Sequence, residues 1–312
     1  MALFLSILVL TAPLFLLVFI GYALGASGKW PKSVSDALTR FVFALALPAM
    51  LFYVMSDFSR MPPTDARLLI AFFGACIIVF FIGRLVSRHV FRLDGVSQSV
   101  FSLGGIFSNI VLLGLPVAKV TLGDESIPAV SLVLAFNAFI LWTLVTASVE
   151  WAKHGEVSWV GIVRTGRGVF SNPVVIGILG GTAFGFTSLT IPATLGRTLS
   201  MVGQSAVPLS LIALGLGLAE YGVRDGWRQS VAMCVLKLAV MPLTAWLLAR
   251  ALGLGAVEIR VVTLLASMSV GANVYLMANQ FKVMGGPVAS SLVLSTLVAS
   301  VSTPLVLALT AP

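Results

Sequence analysis

The chain has 312 residues, of which 59% are hydrophobic and only 10% charged, with a formal net charge of +8 and a mean hydropathy of +1.08. That much apolar surface exceeds what a soluble core can bury. It places the chain in a bilayer, where basic loops account for the positive balance without any nucleic acid partner.

A helix needs about 20 apolar residues to cross the hydrocarbon layer. Such runs recur about ten times, at 3–25, 35–55, 67–91, 98–121, 126–151, 172–190, 197–220, 229–252, 258–281 and 287–309. The first is read as a span, not a cleaved leader, because no basic region follows Met1 and the apolar run continues through Gly21 and Gly25. Alternating the loops gathers Lys29, Lys32, Arg40, Arg84, Arg88, Arg92, Lys153, Arg164, Arg167, Arg224, Arg228 and Lys282 on one side. The other side has Arg60, Arg67, Lys119, Arg197, Arg250 and Arg260. The richer side is expected to be cytoplasmic, which leaves both termini outside a multi-pass protein of the cell membrane. Cys76 and Cys234 lie in apolar runs, with neither metal spacing nor a disulfide framework.

The longest polar interruption falls near the middle of the chain, so the predicted organisation is a first repeat at 1–151, a cytoplasmic linker at 152–171 and a second repeat at 172–312. Gly21 and Gly25 answer to Gly177 and Gly181, Pro48 to Pro208, and Asn109 to Asn273, all at offsets of roughly 160 residues. Five spans per half is an odd number, so the second copy enters the membrane inverted. The expected fold is all-α, an inverted repeat of five plus five helices.

The fourth span reads "SNIVLLGLPV". Pro116 lacks an amide hydrogen and crowds the carbonyl of Leu112, while Gly114 eases an unwound turn. Either a proline kink or a true break satisfies this pattern alone. The ninth span, with Ser269, Gly271 and Asn273, is expected to break in the same way. Irregular backbone at membrane depth persists only when it is buried in protein or lines a cavity. Paired breaks in inverted halves point to a transporter's midplane site.

Half-helix amino ends favour anions. Asn109 and Asn273 are therefore candidates to bind a carboxylate, and Asn137 is a third, with an interhelical hydrogen bond as its other reading. Lys237 is the one ionisable residue placed well inside a span. It would neutralise a bound anion, replace a coupling cation, or snorkel to the surface. No Asp, Glu or His falls mid-span, so an intramembrane carboxylate relay has no support, whereas a sodium site of carbonyls and hydroxyls would leave little trace.

These stretches resemble the auxin efflux carrier family. "SNIVLLGLPVAKVTLGDES" at 108–126 is similar to its fourth-span pattern, and "NPVVIGILGG" at 172–181, "AVPLSLIALGLGL" at 206–218, "LKLAVMPL" at 236–243 and "SMSVGANVYLMANQF" at 267–281 follow in family order. The family usually has proline where this chain has Ser269. The resemblance implies the fold of the sodium/bile acid transporters, with spans four and nine crossed at their breaks. It further implies a scaffold of spans 1, 2, 6 and 7 and an elevator movement of the rest. Asn109 and Asn273 would hold the substrate carboxylate, with Asn137, Leu47 and Leu51 completing the pocket. The short linker resembles that of malonate and malate carriers.

The expected function is secondary active or facilitative transport of small organic carboxylates, with no cofactor and either Na+ or H+ as coupling ion. An exporter of larger aromatic carboxylates, a receptor and a channel are the alternatives. No phosphate loop, His-Glu-x-x-His or Gly-x-Ser-x-Gly pattern supports an ATPase or an enzyme. A homodimer joined through the scaffold is compatible with the resemblance, though no interface is legible in the residues.

Overall fold

The computed structural model describes residues 2–57, 64–154, 173–187, 189–221 and 226–310. Most of the expected linker lies outside these residues, as do Arg60, Arg164, Arg167 and Arg224. The described residues are helical, with no strand beyond a single isolated bridge.

In chain order the helices are α1 (Ala2–Ala26), α2 (Lys32–Met55), α3 (Arg67–His89), α4 (Gly95–Ile106), α5 (Ile110–Leu122) and α6 (Ile127–His154). They continue with α7 (Pro173–Gly185), α8 (Ala193–Glu220), α9 (Trp227–Ala251), α10 (Ala256–Ser267), α11 (Asn273–Phe281) and α12 (Gly285–Leu309). Among the described residues seven helices, α1, α2, α3, α6, α8, α9 and α12, are long and apolar enough to cross a membrane. Their outer faces stay apolar, as with Leu5, Val9, Leu16 and Ile20 on α1 and Leu297, Val301 and Leu305 on α12. A helix that is apolar all round belongs in lipid. The chain is a multi-pass membrane protein.

Glycine sets how closely these helices approach, since helix pairing in lipid depends on close packing and not on the hydrophobic effect. A Cβ at Gly215 of α8 would lie 2.0 Å from the Val18 carbonyl oxygen of α1, and one at Gly21 2.3 Å from the Ile212 oxygen. On the other side of the molecule a Cβ at Gly177 would meet Pro48 of α2 at 2.8 Å, and one at Gly181 the Phe52 oxygen at 2.6 Å. The glycine pairs singled out in the sequence thus seat α1 on α8 and α7 on α2.

Polar side chains fix one helix start and one three-helix junction. Asp94 caps α4 by accepting from the amides of Val96 (3.0 Å) and Ser97 (3.1 Å) and from the Ser97 hydroxyl (2.6 Å). Arg84 of α3 donates to the hydroxyls of Ser99 (2.7 Å) on α4 and Ser148 (2.8 Å) on α6, binding three helices together.

Three helices contain a five-residue π-turn: Val42–Ala46 in α2, Ile110–Gly114 in α5 and Leu236–Val240 in α9. Each ends two residues before a proline, Pro48, Pro116 or Pro242. A proline ring collides with the carbonyl four residues back. The wider π-turn moves that carbonyl aside, and the helix continues.

Gly215→Ala is expected to sharply reduce the yield of monodisperse protein in detergent, because the α1 backbone at Val18, Gly21 and Tyr22 leaves the new methyl no room. Gly217→Ala, whose Cβ would meet nothing within 4 Å, should purify normally. Equal yields of the two variants on size exclusion would contradict this packing.

Candidate functional site: the crossing of two interrupted helices

Between α4 and α5 the backbone is non-helical over residues 107–109, and between α10 and α11 over residues 268–272. The two interruptions meet. The Asn109 amide donates to the Ser269 carbonyl at 2.9 Å, and the Gly271 amide donates to the Phe107 carbonyl at 2.8 Å. Ser108 and Val270 form the antiparallel bridge between them. Residues 107 and 269 are separated by the same interval as residues 109 and 271, so the two bonds are reciprocal.

Other freed backbone groups in the second interruption are met by side chains. The Val270 amide donates to Ser295 Oγ at 3.0 Å, and Thr303 Oγ1 donates to the Ser267 carbonyl at 3.2 Å, both from α12. Lys237 Nζ, from the π-turn of α9, donates to the Ala266 carbonyl. Lys237 is 0% exposed, so it does not snorkel.

The first interruption lies upstream of Gly114 and Pro116, where the sequence placed it. Pro116 is absorbed by the π-turn, in which the Gly114 amide reaches back to the Asn109 carbonyl at 2.9 Å. Gly114 serves packing instead. A Cβ there would press on Leu265 (3.2 Å) and Met268 (3.3 Å) of the crossing strand. Ser269 and Gly271 do lie in the second interruption. A Cβ at Gly271 would meet Phe107 at 2.9 Å and the Ser108 carbonyl oxygen at 3.1 Å, so the close approach excludes any side chain.

Beside the crossing is a cavity of about 160 Å³. Asn109, Asn137 and Asn273 all line it, together with Ser108. Asn109 and Asn137 are each 7% exposed, and Asn273 is the first residue of α11. The opening turns of α5 and α11 both border the space, and their first amides carry the positive end of each helix dipole. Among the described residues no charged side chain lines it. Such a site suits a small anion held by neutral donors.

Leu47, Leu51 and Lys237 do not line this cavity. Both leucines are fully buried in α2, and Phe43 borders the cavity one helical turn before Leu47. Val174 and Val175 of α7 complete the opposite wall, and no sequence signal marked them as different from ordinary apolar residues.

A larger cavity of about 810 Å³ lies where α2 ends and α8 begins, bordered by Tyr53, Asp57, Asp124 and Arg197. It brings acids and one base together at helix ends and the connection before α8. We place the site at the crossing because helix ends and buried amides converge there.

Ser295→Ala would strand the Val270 amide in an apolar interior, which costs about 1–3 kcal/mol. The expected result is a lower melting temperature in detergent. Ser300→Ala, whose exposed hydroxyl bonds only within its own helix, should not change it. A Ser295→Ala protein as stable as the parent would contradict the role of α12 in holding the interruption.

Two curated relatives align over most of the chain. A protein of Rhizobium meliloti named "Putative malonate transporter" is 26% identical over 294 residues, 92% of this chain and 91% of that protein. An uncharacterized transporter of Methanocaldococcus jannaschii is 23% identical over 295 residues, covering 90% and 91%. The model of the membrane transport protein family matches residues 6–307, and the chain, as its motifs suggested, is a member of that family of auxin efflux carrier-type transporters.

Proposed function

We propose that the chain carries small organic carboxylates across the cell membrane by alternating access, with the crossing of α4–α5 and α10–α11 as its substrate site. The observation that carries this reading is the convergence of three asparagines and two helix amino ends on one uncharged cavity. Neutral amides and backbone dipoles hold an anion without placing a permanent charge in the bilayer.

Cavity size favours a small acid. Drug-sized ligands occupy pockets of about 300–1,000 Å³, whereas this space is about 160 Å³. A three- or four-carbon acid fits that scale better than an aromatic one. The relative named for malonate points the same way.

The two halves, 1–151 and 172–312, are read as an inverted repeat. In support, glycines in corresponding helices seat α1 on α8 and α7 on α2. Helices α1, α2, α7 and α8 then form the scaffold. The asparagines belong to the moving part, and Phe43, Val174 and Val175 are the scaffold wall past which the substrate travels. Helix ends assigned to the cytoplasm lie together: Lys153 stands 5.5 Å over the Phe281 ring, and Lys32 pairs with Glu220 at 2.8 Å. That pairing keeps these ends on one side of the membrane, and the excess of basic residues on that side is what supports termini outside the cytoplasm.

Lys237 is read as a built-in cation. Its ammonium group bonds the Ala266 carbonyl at the interruption, where an ion-coupled carrier would use a bound metal cation. Transport should then run without sodium.

Two tests follow from this reading. Asn109→Ala and Asn273→Ala each remove a donor to a charged acceptor, at about 1.5–3 kcal/mol. Malonate uptake into proteoliposomes should therefore show a roughly tenfold to hundredfold loss of affinity. Unchanged uptake in both would defeat the crossing-point site. Replacing sodium by choline should leave wild-type uptake unaltered, and a strict sodium requirement would remove Lys237 from its proposed role.

A further inference from the structure

A groove of about 340 Å³ shares no lining residue with the crossing cavity. Leu238, Ala239, Pro242 and Trp246 of α9 line it, with Thr263 of α10 and Leu309 of α12. The hydroxyls of its two lining threonines, Thr263 and Thr310, donate to carbonyls four residues back at 2.7 and 2.8 Å, which leaves the wall almost entirely hydrocarbon. Ala239 and Leu309 are exposed, so the groove opens toward lipid. From Leu238 to Trp246 it follows α9 for about 12 Å, most of the hydrocarbon depth of one leaflet.

The end of the groove beside the α9–α10 turn is basic. Arg250 stacks on Trp246, with Cζ 5.4 Å from the ring centroid. Arg260 lies one turn before Thr263, on the same face of α10. Each arginine is within about 6 Å, along its helix axis, of the turn at 252–255. Arg260 is half-buried: its Nε is shut off from solvent without a partner, and its terminal nitrogens stay open. Among the described residues neither guanidinium makes an ion pair or a hydrogen bond. Glu258, the acid nearest in sequence, lies against Gly255 instead. Two cations without counter-ions, at the mouth of a hydrocarbon groove, match a molecule that joins an anionic headgroup to an acyl chain.

We propose that this groove binds an anionic phospholipid, with one acyl chain between α9, α10 and α12 and the phosphate held by Arg250 and Arg260. A zwitterionic lipid carries its own cation beside the phosphate and gains less from the two arginines. Leu238 and Ala239 belong to the π-turn that presents Lys237 to the Ala266 carbonyl, so the bound chain packs against the element that backs the crossing. The proposal does not depend on which substrate the crossing takes.

The test is native mass spectrometry of the delipidated full chain in detergent, titrated with phosphatidylglycerol or phosphatidylcholine of identical acyl chains. Phosphatidylglycerol should bind at least about tenfold tighter, from roughly 1 kcal/mol per arginine near the surface. In the double variant Arg250→Gln, Arg260→Gln, whose changes lie at the polar helix ends, that preference should fall below about threefold. Ala239→Trp, which fills the groove from its lipid side, should weaken both lipids. Glycerol phosphate, the headgroup fragment without tails, should not displace the lipid. Equal binding of the two lipids by the wild-type protein overturns the proposal, as does a preference that survives in the double variant. Unchanged lipid binding in Ala239→Trp, or displacement by glycerol phosphate at lipid-like concentrations, removes the groove from the site and overturns it too.

Discussion

Backbone that leaves its helix inside a membrane has no water to bond, and each unsatisfied group costs several kcal/mol. The site depends on how this chain meets that constraint. Each interruption supplies a partner to the other, Asn109 to Ser269 and Gly271 to Phe107, so neither is tolerable without its mate. The closeness this requires explains why residue 271 has no side chain. It also brings the opening turns of α5 and α11 to one cavity, with the asparagines beside them.

Support for the crossing comes from two further helices, and it is uneven. α12 contributes Ser295, which accepts from the Val270 amide inside the second interruption, while Thr303 of α12 and Lys237 of α9 donate to the Ser267 and Ala266 carbonyls in the last turn of α10 that leads into it. The second interruption spans residues 268–272 and the first spans 107–109, so the longer one takes the larger number of side-chain partners. Ser269 stands where the family usually has proline. Its amide position is followed by a Val270 amide that needs Ser295, and its own carbonyl receives Asn109, so the break persists here through bonding to other helices.

Composition and apolar run length were enough to recover the membrane setting and the approximate limits of the helices, because hydrocarbon imposes both directly. The glycine pairs were legible as well, since close helix approach admits few other residues. The position of the first break was not. Proline at 116 signals disturbed hydrogen bonding, but a π-turn absorbs the disturbance there, as at Pro48 and Pro242, and Pro13 and Pro304 lie within unbroken α-helix. What ends α4 at Ile106 is the reach of a distant segment for Phe107 and Asn109, a tertiary fact with no local signature. For the same reason Asn109 lies in the first interruption, whereas Asn273 sits just past the second, at the start of α11. Phe43, Val174 and Val175 were missed because an apolar residue facing a small cavity reads like one facing lipid.

The most direct test of the account is a structure determined with malonate bound to the protein in lipid nanodiscs. The account predicts density for the acid among Asn109, Asn137 and Asn273, with its carboxylate toward the opening turns of α5 and α11. Density instead in the wide cavity beside Asp124 and Arg197, with the crossing unchanged and unoccupied, would contradict it.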